Sequence, residues 1–205
     1  NMALLGQYGE AEALNAQAQS LVDALPDADA VCADRACIRM NRANTLQAQG
    51  QYGAAEALYA QVQSLVDALP DSDAVRAYRT RICMNRANNL SELGQYGAAE
   101  AVYAQAQSLV DALPDSDAVR ADQARMHMNR AINLQAQGQY EAAEALYSRA
   151  QPLVDALPYS DAVRADRARV RANRANNLRQ QGRHGAAEAL YAEAQPLFDA
   201  LPNSD

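Results

Sequence analysis

The sequence predicts an all-α fold, an α-solenoid of tandem antiparallel helix pairs, and three observations carry that prediction. The first is a period. Gly6, Gly50, Gly94, Gly138 and Gly182 recur every 44 residues, as do Pro26, Pro70, Pro114, Pro158 and Pro202, and Asn41, Asn85, Asn129 and Asn173. Residues 45–88 and 89–132 are identical at 32 of 44 positions. Periods of this size mark arrays in which each unit buries its face only against its neighbours. The second is composition. Apolar residues make up 49% of 205 residues, alanine dominates, and there is one Phe and no Trp. Ala is the best helix former, whereas strands favour Val, Ile and aromatics. The third is apolar spacing, which falls on single helical stripes in every copy.

The elements follow in chain order. Residues 1-28 read as a partial repeat: the tail of a first helix over 1–5, a turn at Gly6, and a second helix around Tyr8 to Leu25. Full helix pairs then occupy 29-72, 73-116, 117-160 and 161-205, and Asp205 stops where another pair would start. Together they read as one continuous stack rather than two globular domains. In the pair 73-116, the Ser or Asp of "DSDAV" after Pro70 is expected to cap the helix start by accepting N–H bonds. The stripe Val75, Ala77, Thr80, Met84, Ala87 and Leu90 follows. Gly94 ends that helix in a left-handed conformation. The second stripe is Tyr96, Ala99, Val102, Tyr103, Ala106, Leu109, Val110 and Leu113, closed by Pro114. The helices are expected to run about 20 and 18 residues, each about 30 Å long.

These residues resemble the tetratricopeptide repeat. Leu90, Gly94, Tyr96, Ala99, Tyr103 and Ala106 follow its spacing; so do Leu46, Gly50, Tyr52, Ala55 and Tyr59, and Leu134, Gly138, Tyr140, Ala143, Tyr147 and Ala150. The usual unit has 34 residues; this one is ten longer, and with "RANNL" and "AEALY" it is similar to the kinesin-light-chain style of repeat. The resemblance implies a right-handed superhelix whose first helices line a concave groove, and a non-catalytic scaffold for a protein or peptide partner.

Catalytic signatures are missing: no P-loop, GxSxG, HExxH or GxGxxG occurs. His184, in place of the Tyr of the turn, reads as a packing variant and His127 as a solvated helix residue. Glu56, Glu100, Glu144 and Glu188, one per repeat, read as a solvated stripe. Cys32, Cys37 and Cys83 lack the paired spacing of zinc or redox sites. No cofactor and no metal is expected. No run of about 18 apolar residues is present, so no membrane span is expected. The chain opens on Asn without a basic-then-apolar leader and reads as a piece of something longer. The compartment stays undecided: cytoplasmic for a regulator module, extracellular for a filament.

All 18 cationic residues are Arg, although the net charge is −7. Sixteen fall on first helices; if these line the concave side, as the resemblance implies, the groove is basic and polar. Its ladder is Arg81, Arg125 and Arg169, with Asn44, Asn88 and Asn176 beside it; Ile132 breaks the Asn series. Arg pairs with carboxylates and Asn with both backbone groups of an extended peptide, so the expected partner is an acidic peptide or protein. A purely structural role for these side chains, in exposed Arg–Asp pairs and interhelix bridges, stands beside that reading. Nucleic acid is not expected, since the chain is acidic and no aromatics interleave with the Arg. The alternative is structural. Near-identical units suit a rod or filament, with Leu190, Tyr191, Leu197 and Phe198 of the last helix meeting the first helix of the next copy head to tail.

Overall fold

The computed structural model describes residues 2–26 and 28–201, with the side chains of residues 2–8 and of Asp29 set aside. Pro202 and Asp205, two fixed points of the repeat pattern, lie outside the described residues, as does the side chain of Tyr8. Among the described residues there are nine α-helices and no strand. They fall into two compact units, Asn1–Leu113 and Pro114–Asp205.

The first unit holds α1 (Met2–Asp23), α2 (Asp29–Ala48), α3 (Tyr52–Asp67), α4 (Asp73–Glu92) and α5 (Tyr96–Asp111). The second holds α6 (Asp117–Ala136), α7 (Tyr140–Asp155), α8 (Asp161–Gln180) and α9 (His184–Asp199). Within each unit consecutive helices pack side by side: α2 on α3, α4 on α5, α6 on α7 and α8 on α9 form the closest pairs.

Local chemistry sets the boundaries. Ser72, Ser116 and Ser160 accept from the N–H of Val75, Val119 and Val163, each at 3.2 Å, and so cap α4, α6 and α8. Ala28 stands at that place before α2, which starts without a side-chain cap. At the other end Gly50, Gly94, Gly138 and Gly182 take φ values of 72–74°. Their left-handed backbone lets Gln51 N–H reach Leu46 O at 2.8 Å, and Gln95 N–H reach Leu90 O at 2.9 Å, the hydrogen bonds of a Schellman turn.

Two expectations are corrected here. α1 runs from Met2 through Gly6 to Asp23 without a turn. Helical main-chain bonding carries straight through Gly6, whereas Gly50, Gly94, Gly138 and Gly182 take the left-handed conformation. The second helices have 16 residues, not 18. Their last turn tightens ahead of the proline, with Leu69 N–H on Val66 O and Leu113 N–H on Val110 O, both at 3.1 Å.

Each pair is held by one large aromatic among small residues. Tyr59 packs with Ala43, Leu46 and Ala55, and Tyr147 with Ala131, Ala143 and Ala150. Tyr59, Tyr103 and Tyr147 are buried. Between pairs in the first unit, Val62 and Val66 of α3 meet Ala36 and Ile82 from the flanking first helices.

Candidate interaction surface

Most arginines of the first helices have structural work. Arg79 and Arg167 reach back to the end of the preceding second helix. Arg79 donates to Val66 O, Asp67 O and Leu69 O at 3.1–3.4 Å. Arg167 donates to Val154 O, Asp155 O and Leu157 O at 2.8–3.1 Å. Each adds donors to carbonyls at a helix end, where the regular intrahelical partners run out. Arg86 bonds Glu56 at 2.7 Å and Gln63 at 2.6 Å, and Arg174 bonds Glu144 at 2.8 Å and Gln151 at 2.7 Å. Glu56 and Glu144 are therefore half-buried clamps between helices, not a solvated stripe. Helical register explains the correction, because each faces the next first helix. Arg76 and Arg120 pair with the acids before and within the first turn of their own helices, Asp71 and Asp73, and Asp115 and Asp117. These commitments leave a far less basic free surface than a count of Arg implies.

What remains outward is one stripe along each first helix, at positions i, i+4 and i+7. In the first unit it comprises Cys37, Asn41 and Asn44 on α2, and Arg81, Asn85 and Asn88 on α4. In the second it comprises Arg125, Asn129 and Ile132 on α6, and Arg169, Asn173 and Asn176 on α8. Cys37, Asn44, Arg81, Arg125, Ile132 and Arg169 are exposed; Asn88 and Asn176 are half-buried. Arg125 and Arg169 keep 48% and 55% of their side chains exposed while pairing with Asp122 at 3.4 Å and Asp166 at 3.1 Å. The Arg169–Asp166 pair is a surface pair and is worth about 0.5 kcal/mol, whereas Asp122 is buried and holds Arg125 from the helix side.

A bond that sequence reasoning missed orients the Asn residues. Tyr59 donates its hydroxyl to Asn44 Oδ1 at 2.7 Å, Tyr103 to Asn88 Oδ1 at 2.5 Å, and Tyr191 to Asn176 Oδ1 at 2.6 Å. The carbonyl side of each amide is thereby turned to the helix pair. Asn85 Nδ2 adds a bond to Asn44 Oδ1 at 3.1 Å, linking α4 to α2. The signal was in the sequence, since Asn stands 15 residues before Tyr in three units and Ile132 in the fourth. There the Tyr147 hydroxyl goes to Gln135 Oε1 at 3.1 Å instead. In the second unit a groove of about 370 Å³ opens at this place, walled by Ile132, Tyr140, Tyr147, Asn173, Asn176 and Gln180 among others.

Other expected positions fall elsewhere. Leu190 is buried with Ala175, Leu178 and Ala187, because it faces its own partner α8 and not outward. Tyr191 and Leu197 are half-buried, and Phe198 is 44% exposed. His127 is buried; it shares the register of buried Cys83 and stands between buried Met126 and Met128. His184 is exposed, since among the described residues no helix packs over the start of α9 as α4 does over Tyr52. Burial, with Asp67 nearby, pushes the Cys83 thiol up to about 11. Among the described residues no cluster of His, Cys, Asp and Glu could hold a metal ion, and no helix is long and apolar enough to cross a membrane.

Comparison with known proteins gives the family. Tetratricopeptide-repeat profiles match residues 122–200, 80–109 and 38–62. The chain is a tetratricopeptide-repeat protein. Among solved structures, BtubC (BKLC) from P. vanneervenii superposes with a TM-score of 0.79 at 20% identity, covering 99% of this chain and 79% of that one. A putative kinesin light chain of Podosopora anserina with nearly identical TPR-like repeats gives 0.70 at 20% identity, covering 95% and 88%. MamA AMB-1 gives 0.57 at 16% identity, covering 96% and 93%. At these identities the likeness is one of fold. A search of the curated proteins finds no match. As a tetratricopeptide-repeat chain with kinesin-light-chain-like repeats, the protein has the build of a protein-interaction scaffold.

Proposed function

We propose that the protein is a non-catalytic scaffold that binds an extended acidic segment of a partner protein along the outward stripe of its first helices. The observation that carries this reading is the set of Tyr–Asn bonds. With Oδ1 of Asn88 and Asn176 held by tyrosine hydroxyls, their Nδ2 groups are the ends left to meet a ligand. Arg81, Arg125 and Arg169 sit seven residues earlier on the same stripes. Amide N–H and guanidinium groups only donate, so the surface asks for acceptors: main-chain carbonyls beside Asn44, Asn88 and Asn176, and carboxylates beside the arginines. A fluorescein-labelled peptide of alternating Glu and Ser tests this by anisotropy. Binding should weaken as salt rises, because exposed charges are screened within about 8 Å at physiological ionic strength. The triple change R81A, R125A, R169A should weaken binding and flatten that salt dependence. Unchanged affinity in the triple variant would assign these arginines to structure alone.

A second reading is favoured by a separate observation. Leu14 and Leu21 on α1 are 67% and 69% exposed, and Phe198 on α9 is 44% exposed. Apolar side chains exposed on the first and last helices would allow head-to-tail association of copies. Light scattering across a concentration series tests it: growth of long species supports stacking, and a monomer at high concentration with Phe198 exposed contradicts it.

A further inference from the structure

The repeats contain their own template for a ligand site, because one position is filled by Arg in two units and vacated in a third. In α2, Arg39 grips Asp23 with Nη2 2.9 Å from both carboxylate oxygens, and its Nη1 reaches Arg35 O at 3.5 Å. In α8, Arg171 does the same with Asp155 at 2.9 and 3.0 Å and with Arg167 O at 3.2 Å, and adds Glu193 Oε2 at 3.1 Å. Both side chains are only 14% exposed. In each case the aspartate also meets a second arginine from the same helix: Arg35 at 3.6 Å, Arg167 at 3.8 Å. The filled site is thus one carboxylate held between two guanidinium groups.

In α4 the same position is Cys83. The carboxylate remains as Asp67 and the second arginine remains as Arg79, 3.3 Å away. The place of Glu193 is taken by Gln105 of α5. Where the missing guanidinium would lie there is a cavity of about 230 Å³, lined by Gln63, Asp67, Arg79, Cys83, Gln105 and Leu109 among others. A water needs only about 10–15 Å³, so the space admits a planar cation. Asp67 keeps 54% of its side chain exposed, against 35% for Asp155, which has both partners.

We propose that this cavity is a binding site for a guanidinium group supplied by a ligand. The ligand cation occupies the place that Arg39 and Arg171 fill in the neighbouring repeats, pairing with Asp67 and donating to the Gln105 carboxamide oxygen and Arg79 O. Planar, forked donors match a carboxylate bidentately, whereas an ammonium is a point charge. The site therefore discriminates between the two. It lies between α3, α4 and α5, away from the outward stripe, so it does not depend on the function proposed for that stripe.

The experiment is an NMR titration of the ¹⁵N-labelled full chain with N-ethylguanidinium, with N-ethylammonium as control. The expected result is saturable shifts of the Gln105 side-chain amide and of main-chain signals around Asp67 and Cys83, seen with guanidinium alone. Cys83→Arg supplies the group in cis, as the chain does at 39 and 171, and should abolish them. Asp67→Asn, a near-isosteric change at a side chain that is 54% exposed, should keep the helical signal and weaken binding by about tenfold or more. Nα-acetyl-arginine amide and an Arg-containing hexapeptide identify the source. Binding of both points to an arginine of a protein partner, and binding of N-ethylguanidinium alone to a small molecule. No saturable shift, equal response to ethylammonium, or shifts that persist in both variants would overturn the proposal.

Discussion

Tyr103 does two jobs with one side chain. Its ring fills the gap between α4 and α5, it is 1% exposed, and its hydroxyl fixes Asn88. Tyr103→Ala should cost about 3 kcal/mol or more in chemical denaturation, the range of large-to-small core changes. Tyr103→Phe keeps the ring and should cost about 1 kcal/mol, the worth of one hydrogen bond. A cost below about 0.5 kcal/mol for the Ala variant, typical of a surface site, would mean that the ring is not core. Burial first, then the negative charge of Glu56, Glu100 and Glu144, pushes the phenols of Tyr59, Tyr103 and Tyr147 well above the ordinary value of 10.0. A raised folded value means that the unfolded chain loses these protons first, so stability is full below pH 10 and falls as pH rises beyond it. Tyrosinate absorbance and helical signal should therefore change together above pH 10 for these three. Titration of every tyrosine near pH 10 with helicity intact would contradict their burial. The burial of Tyr59, Tyr103 and Tyr147 was legible from the apolar stripes, whereas the place of Asn44, Asn88 and Asn176 beside a groove came only from the family resemblance. The bond between Tyr and Asn was not legible, because periodicity assigns residues to faces but does not aim hydroxyls. The roles of Arg79, Arg86 and Arg167 were hidden for the same reason. Nothing in one helix's pattern tells that a guanidinium reaches back to another helix's end.

At the scale of the element, turns and caps were the most legible features. Gly138 sits at φ +73°, and a Cβ there would meet nothing within 4 Å. Gly138→Ala should cost about 1–2 kcal/mol from backbone conformation alone, measured by thermal unfolding; no loss would mean that the turn relaxes to another conformation. Pro152 lies inside α7, where α3 and α5 carry Ser64 and Ser108. Proline withholds an N–H and crowds the preceding turn. Pro152→Ser should therefore raise stability, by up to about 3 kcal/mol, and a fall in midpoint would show that the ring packs more than it strains. Helix lengths were less legible. The fixed proline marks where a helix can no longer continue, whereas α3 and α5 already end at Asp67 and Asp111 through tightened turns and, after α3, the carbonyl contacts of Arg79.

For the whole molecule, the fold was readable because the same unit is written out repeatedly, and each local signal agrees with the others. Interaction chemistry was less readable, because the same arginine-rich composition serves caps, clamps and exposed stripe alike. Only geometry sorts them: Arg86 and Arg174 hold helices together, while Arg81, Arg125 and Arg169 face outward. If binding runs through this stripe, as proposed, and not through net charge, the position of an arginine decides the effect of removing it. Two triple variants with the same charge change test it on the Glu/Ser peptide. One replaces Arg81, Arg125 and Arg169 by Gln; the other replaces Arg76, Arg120 and Arg149 by Gln. Each takes the formal charge from −7 to −10, so long-range repulsion of the peptide rises equally. The first set should lose most of the affinity while the second stays close to the parent; equal losses from both sets would contradict binding along the stripe.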